Sequence, residues 1–163
     1  ELIGSPEGET YRSSRGMVFI AVRPTITDFI LKMPRGAQVV YPKDIGPILI
    51  IADIFPGARV LESGLGSGAL STGLLRAGAE ITGYELRDDF AQGARDNVGR
   101  FLGPAALEHY QTQVRDVYQG IDETDLDRIV LDLPEPWQVV SHAEKALRRG
   151  GIFVAYSPSI IQV

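Results

Sequence analysis

From residue 59 onward, short apolar runs alternate with longer amphipathic segments along the chain. The apolar runs predict five β-strands, at 59–63, 80–85, 108–115, 128–133 and 151–157. The intervening segments at 67–77, 88–102 and 136–148 carry apolar residues at helical spacing and predict α-helices. Strands and helices that alternate in this way form a parallel sheet covered by helices. We therefore predict an α/β fold with a doubly wound, mostly parallel sheet.

Two of these helices show in the sequence which face they should bury. The segment 88–102 aligns Phe90, Ala94, Val98 and Phe101. The segment 136–148 aligns Trp137, Val140, Ala143 and Leu147, and Gly150-Gly151 is expected to end it. On this spacing, we expect Trp137 to be a core residue.

The first 58 residues follow a less regular pattern. Alternating apolar and polar residues at 17–22 predict the last strands of a small β appendage. The segment 25–33 predicts a helix capped by Thr25, with Asp28 in its first turn. Pro42 forces Tyr41 into an extended conformation, and Asp44 is expected to cap a helix that ends near residue 54.

Composition bounds the class of protein. The 163 residues are 44% hydrophobic and 23% charged, which is typical of one globular domain with at most a small appendage. The chain has no cysteine and two isolated histidines, so we expect no disulfide and no metal site, and we predict a cytoplasmic setting. The longest apolar run, 48–54, is too short to cross a membrane.

The net charge of −5 is unevenly distributed. Residues 1–43 contain six Lys and Arg against four acids, a formal charge of +2, and the remainder carries −7. A mildly basic leading segment is compatible with phosphate contacts, although scattered surface charge explains so small an excess equally well.

The segment Val60–Ala69 joins a predicted strand to a predicted helix through three glycines, Gly64, Gly66 and Gly68. Glycines at such a turn allow positive φ and let a ligand approach the backbone closely. The spacing fits both a dinucleotide fingerprint and an S-adenosylmethionine loop.

Carboxylates stand at the ends of four predicted strands, where ligands of parallel sheets bind: Glu62, Glu85, Asp116 and Asp132. Glu85 lies 17 residues beyond Gly68, close to the spacing expected for an acid that binds ribose hydroxyls. Asp116 is placed to accept the amine of an adenine, and the prolines that follow Asp132 fix it towards the reacting centre. No proton donor or acceptor suited to hydride transfer follows Asp132, which favours S-adenosylmethionine over NAD.

Several motifs together resemble those of tRNA adenine-N1 methyltransferases of the bacterial and archaeal type, which modify position 58 in the T loop. They are Tyr41-Pro-Lys-Asp44, Leu61-Glu-Ser-Gly-Leu-Gly-Ser-Gly68, Tyr84-Glu85, Leu131-Asp-Leu-Pro-Glu-Pro-Trp137 and Ala155-Tyr-Ser-Pro-Ser-Ile-Ile-Gln-Val163. The resemblance implies a class I methyltransferase fold, S-adenosylmethionine as cofactor, tRNA as partner and a homotetramer. It also implies that residues 1–40 are the end of the N-terminal β appendage with its connecting helix, and that 41–163 are the catalytic domain.

The resemblance and the strand-end positions together give a set of candidate site residues. The catalytic candidates are Asp132, expected to accept a hydrogen bond from N6 of the target adenine, and Tyr41, expected to pack against the everted base. The cofactor-binding candidates are Glu62, Gly64, Gly66, Ser67, Gly68, Glu85, Asp116 and Asp132. His109 and His142 are expected to have no catalytic role.

The sequence departs from the family pattern in two places. The connection 76–80 is shorter than usual, and the chain ends at Val163, where the family continues, so we expect the C-terminal strands of the sheet to be missing. Three alternatives remain open on the sequence. They are a class I methyltransferase that acts on a small molecule or protein, a non-catalytic RNA-binding paralogue, and an NAD-dependent oxidoreductase.

Overall fold

The secondary structure follows the predicted alternation of strands and helices. The computed structural model describes residues 4–157. The strands are β1 Thr10–Arg12, β2 Val18–Ile20, β3 Arg59–Ser63, β4 Glu80–Glu85, β5 Tyr110–Val114, β6 Leu126–Leu131 and β7 Leu147–Ala155. The α-helices are α1 Ile26–Lys32, α2 Pro42–Ile51, α3 Ala69–Arg76, α4 Asp88–Leu102 and α5 Val140–Ala146. Short 3₁₀ helices span Pro104–His109, Val117–Gln119 and Pro136–Val139.

The five strands predicted from the apolar runs form one parallel sheet in the order β5-β4-β3-β6-β7. The chain builds outward from β3 through β4 to β5, then returns to the other side of β3 with β6. The strand order therefore reverses between β3 and β6, which is where open α/β sheets bind their ligands. The predicted fold class is confirmed.

Apolar side chains cover both faces of this sheet. On one face, α1 to α4 pack against β3 and β4 through residues such as Ile30, Ile45 and Leu74. On the other face, α5 and the 3₁₀ helix after β5 pack against β6 through Val117, Val139 and Ala143. The two layers hold the carboxyl ends of the strands at one edge of the molecule.

The capping of the first two helices is partly as predicted. Thr25 and Asp28 form a reciprocal capping box at the start of α1, and Tyr41 is extended before Pro42. The prediction that Asp44 caps α2 is wrong, because Pro42 takes the first helical position and Tyr41 is the N-cap. The helix also ends at Ile51 rather than near residue 54.

The segment 136–148 does not form the single helix that its spacing predicts. Pro136 starts a 3₁₀ helix, α5 begins only at Val140, and Gly150-Gly151 lies in an irregular stretch of β7. A 3₁₀ helix has three residues per turn, so it rotates the following side chains away from the α-helical register. The buried face is therefore formed by Val139, Ala143 and Ala146.

Trp137 is consequently not a core residue, and the expectation that it is one was wrong. It is 57% exposed, and Val140 is 53% exposed.

The basic leading segment begins with a hairpin, in which β1 and β2 pair antiparallel with Tyr11 opposite Phe19. Within α4, the predicted inner face is confirmed for Ala94 and Val98, whereas Phe101 is half-buried and stacks on Phe29. None of the helices within residues 4–157 is long and apolar enough to cross a bilayer.

Candidate active site at the carboxyl edge of the sheet

The glycine loop connects β3 to α3 at the point where the strand order reverses. Gly64, Gly66 and Gly68 all have positive φ. A Cβ on Gly64 would lie 2.2 Å from the carbonyl oxygen of Asp132, and one on Gly68 would lie 2.9 Å from that of Ala94. These two glycines allow the loop to pack closely on neighbouring backbone.

Gly66 differs from the other two glycines of the loop. A Cβ placed there would meet nothing closer than 3.9 Å, and its nearest neighbours are Ala37 and Gln38. Its φ of 50° and its open surroundings leave the Gly66 backbone accessible to a ligand that lies across the loop.

The carboxylate of Glu85 lies against this loop. The Gly66 N–H donates to Glu85 Oε2 at 3.2 Å, and the Arg87 N–H donates to Glu85 Oε1 at 3.1 Å. The structure thus brings together the glycine loop and the acid that the spacing predicted to act with it.

Glu62, just before the loop, is fully buried. Neither of its carboxylate oxygens has a hydrogen-bond partner within the described part of the chain. Burial raises the pKa of Glu62 to about 8, and the charges of Asp132 and Glu85 act in the same direction, while Ser71 opposes them. A buried carboxyl group without a partner costs about 1–3 kcal/mol or more, so this position is destabilising in the free protein.

Asp132 follows β6 directly, and its N–H donates to the carbonyl of Ser63 at 3.0 Å. Its backbone therefore continues the pairing between the two strands that flank the reversal point. Burial raises the pKa of its carboxyl group to about 6. The side chain is half-buried, so it retains access to the crevice.

Asp116 lies two residues beyond β5 and caps the 3₁₀ helix that follows, because its Oδ1 accepts the Tyr118 N–H at 3.0 Å. The loop beyond it is fastened to the sheet by the buried Tyr84, whose hydroxyl donates to Glu123 and accepts the Asp122 N–H at 3.2 Å. Oδ1 of Asp116 is thus used for capping. The hydrogen bonds of Tyr84 hold the loop that follows Asp116 against the sheet.

Tyr41 lies at the N-terminus of α2 and is 38% exposed. In the same turn, Asp44 accepts a hydrogen bond from Lys43 Nζ at 2.9 Å and one from the Tyr156 hydroxyl at 3.1 Å. Tyr156 follows β7, and its N–H donates to the carbonyl of Leu131, so it is next to Asp132 at the edge of the sheet. The Asp44–Tyr156 contact joins the start of α2 to the end of β7.

Sequence reasoning missed Tyr156 as a member of the site. Its position after the fifth strand was a signal, because the ends of the other four strands carry the acids of the site. The last six residues of the motif that contains it, 158–163, lie outside the described residues.

Asn97 is a second residue that sequence reasoning missed. Its side-chain amide is buried in α4 and donates to the carbonyl of Pro34 at 2.9 Å and to that of Ser67 at 3.0 Å. Both protons of one amide are used to join the segment before α2 to the glycine loop. No sequence signal marks this role, because the two carbonyls come from distant parts of the chain.

The two histidines lie away from this edge or have ordinary partners. His109 Nδ1 is 2.8 Å from Glu80 Oε1 at the opposite end of the sheet, and His142 Nε2 is 3.1 Å from the Tyr118 carbonyl.

Comparison with known proteins gives a family match over most of the chain. Residues 16–163 match a family model described as the tRNA methyltransferase complex GCD14 subunit. A tRNA (adenine(57)-N(1)/adenine(58)-N(1))-methyltransferase of Methanocaldococcus jannaschii is 39% identical over 184 residues, which cover 96% of this chain and 65% of that protein. A tRNA (adenine(58)-N(1))-methyltransferase of Thermus thermophilus is 34% identical over 165 residues, which cover 99% of this chain and 64% of that protein.

Solved structures give the same fold. A Thermotoga maritima protein, named a SAM-dependent O-methyltransferase, matches with a TM-score of 0.86 and 35% identity over 96% of this chain and 58% of its own. A tRNA (m1A58) methyltransferase of Aquifex aeolicus matches with a TM-score of 0.76 and 22% identity over 96% of this chain and 70% of its own. The chain spans somewhat less than two thirds of the length of the curated relatives named above.

Proposed function

Because the chain belongs to the tRNA methyltransferase family of the GCD14 subunit, we propose that it transfers a methyl group from S-adenosylmethionine to N1 of an adenine in the T loop of tRNA, at position 58.

The observation that carries the choice of cofactor is the charge of the site. Glu62, Glu85 and Asp132 surround the glycine loop, and within residues 4–157 none of them forms an ion pair with a lysine or arginine. Neither oxygen of the buried Glu62 carboxyl group has a hydrogen-bond partner among residues 4–157. The charges of Glu85 and Asp132 attract a cationic ligand and repel the pyrophosphate of a dinucleotide, and a cation also favours ionisation of Glu62, which together supports S-adenosylmethionine over NAD.

Residues of the loop and of the neighbouring strand ends are proposed to hold this ligand. The backbone of Gly64, Gly66, Ser67 and Gly68 lies along it, and the buried Glu62 carboxyl group lies just before the loop, where a bound cation would favour its ionisation. Glu85 accepts hydrogen bonds from the ribose hydroxyls of the ligand, and the second carboxylate oxygen of Asp116 accepts one from the adenine amine of the ligand. When bound, S-adenosylmethionine supplies an electrophilic methyl group on a positively charged sulfur.

Asp132 and Tyr41 are proposed to act on the target adenine. Asp132 accepts a hydrogen bond from N6, which makes N1 more nucleophilic and stabilises the positive charge that develops on the base. Its pKa of about 6 leaves it ionised at neutral pH. Tyr41 is rigid and partly exposed, and it packs against the base once the base has left its stack.

The setting of the reaction is part of the same proposal. A tRNA-modifying role and the absence of cysteine favour the cytoplasm. A homotetramer is proposed for the assembly from the family resemblance, and light scattering coupled to gel filtration tests it.

The test is nucleoside mass spectrometry of tRNA incubated with the protein and isotope-labelled S-adenosylmethionine. We expect labelled 1-methyladenosine at position 58 and none in a tRNA whose adenine 58 is replaced by guanine. Labelled tRNA with a different methylated nucleoside would overturn the assignment to N1 of adenine.

The same experiment tests a second candidate function, because the similar Thermotoga maritima protein is named an O-methyltransferase. A catechol-type or carboxylate acceptor replaces tRNA in that arm. If the small acceptor is methylated and tRNA is not, the protein is better described as a small-molecule methyltransferase. Binding of tRNA without transfer to any acceptor would favour a non-catalytic RNA-binding protein.

A further inference from the structure

Trp137 is held rigidly, yet its side chain is exposed. Its neighbour Pro136 and the residue Val139 are buried and anchor the 3₁₀ helix to the core under β6. Trp137 itself is 57% exposed, and Val140 beside it is 53% exposed. Burial of an indole ring would stabilise the fold, so folding alone does not account for this exposure.

The Trp137 segment borders the proposed catalytic acid. Only Leu133, Pro134, Glu135 and Pro136 separate Trp137 from Asp132. The Glu135 N–H donates to the Tyr118 hydroxyl at 3.3 Å. Tyr118 belongs to the 3₁₀ helix that Asp116 caps, so this contact ties the segment to the rim of the same crevice.

Tyr41 and Trp137 belong to elements on opposite faces of the sheet. Tyr41 begins α2, which packs on the face covered by α1 to α4, whereas Trp137 precedes α5 on the other face. Each face of the sheet therefore contributes one partly exposed aromatic residue, and Trp137 lies five residues after the proposed catalytic acid in the chain.

We propose that Trp137 stacks on an unpaired nucleobase of the RNA substrate next to the methylated adenine, an inference that rests on the proposed tRNA substrate. An adenine that leaves its stack to reach Asp132 deprives its neighbour of a stacking partner. Unpaired bases in RNA are commonly stacked on aromatic side chains. The exposed indole replaces the lost partner, and Val140 widens the apolar surface under it.

The chain contains one tryptophan, so its fluorescence reports on this position alone. We expect tRNA and an isolated T-arm hairpin to quench the emission saturably, with midpoints that match the Kd values from filter binding. A fully paired RNA duplex of equal length offers phosphates without unpaired bases, and we expect it to bind without quenching. Emission unchanged at saturating tRNA overturns the proposal.

Substitutions test the energy of the contact. Trp137→Ala should weaken tRNA affinity by roughly ten- to hundredfold, and Trp137→Phe, which keeps an aromatic ring, should restore most of it. The affinity for S-adenosylmethionine should stay at the parental value in both variants. Equal tRNA affinity for the Ala, Phe and parental proteins overturns the proposal.

The outcomes separate this inference from the proposed function. Quenching by the T-arm without 1-methyladenosine formation supports stacking and contradicts the methyl transfer. Methyl transfer without quenching contradicts stacking alone. If the tryptophan emission of the free protein changes on dilution, a second copy of the chain covers Trp137. That result also overturns the inference.

Discussion

Asp132 is the residue on which the proposed chemistry depends most directly. Asp132→Asn preserves the shape but replaces an anionic acceptor with an amide. We expect single-turnover methylation to slow by about 10²–10³-fold, the usual effect of removing one preorganised charge interaction. The affinity for S-adenosylmethionine, measured by calorimetry, should change little.

The matched control is Asp116→Asn, which should weaken cofactor binding instead. The pH profile gives a second check, because burial raises the pKa of Asp132 to about 6. The reaction needs the ionised form, so kcat/KM of the parent should fall as the pH drops through about 6. Parental rates in Asp132→Asn would assign the residue a structural role.

Glu62 gives a prediction about stability. Its pKa is raised from 4.5 to about 8 in the folded protein. Between these values the unfolded chain loses the proton while the folded chain keeps it, so stability falls as the pH rises through this window. Glu62→Gln cannot ionise, and we expect it to remove a decline of roughly 3–5 kcal/mol between pH 4.5 and 8.

Urea unfolding of the ligand-free protein at several pH values measures this slope. Glu144→Gln makes the same chemical change at an exposed site of α5 and gives the background. If Glu62→Gln and Glu144→Gln have the same pH dependence as the parent, the buried Glu62 carboxyl group is not the source of the decline.

At the level of single residues, the sequence predicted the acids of the site better than their surroundings. Strand-end positions identified Glu62, Glu85 and Asp132 because the ends of parallel strands converge at one edge. Asn97 and Tyr156 were missed because their partners are far away in the chain. Such contacts are set by tertiary packing, which local patterns do not encode.

Among the elements, the glycine loop has two different requirements for glycine. Gly64 faces the Asp132 carbonyl at a distance that no Cβ tolerates, whereas Gly66 faces open space. We expect Gly64→Ala to lower the unfolding temperature strongly. Gly66→Asn should leave the fold intact, since asparagine tolerates the left-handed region, but weaken S-adenosylmethionine binding at least tenfold.

Circular dichroism and calorimetry on the same two variants separate these effects. Parental affinity in Gly66→Asn would show that the ligand does not lie against this part of the loop. An unfolding temperature unchanged in Gly64→Ala would contradict the close packing of the loop on Asp132.

Element prediction succeeded where the period was sustained and failed where a proline changed it. The strands of the sheet were found because their apolar runs are continuous and bounded by turn residues. The 136–148 segment was misassigned because it begins with a 3₁₀ helix at Pro136, which places Trp137 on the surface. Asp44 was misassigned because Pro42 starts α2, which places the N-cap at Tyr41, three residues earlier than expected.

For the whole molecule, the proposed substrate raises a question of charge, because both this chain and RNA are negatively charged. The net charge of −5 repels tRNA at long range, so attraction must come from local groups. Arg12 and Arg15 lie on the β1–β2 hairpin and its turn and form no ion pair within the described chain, whereas Arg23 is paired with Glu7 at 3.3 Å. The hairpin therefore offers two cations that are free to contact phosphates.

The double variant Arg12→Gln, Arg15→Gln should weaken tRNA binding. It should also lower the magnitude of the slope of log affinity against log salt concentration by about 1–2, because each phosphate contact contributes about 0.7–0.9 to that slope. Lys145→Gln with Arg149→Gln changes the net charge equally through exposed residues of α5 and β7 and should leave the slope nearly unchanged. Binding of S-adenosylmethionine should remain at the parental value in both double variants. If the two pairs shift the slope equally, tRNA responds to the overall charge of the molecule and the hairpin makes no specific phosphate contacts.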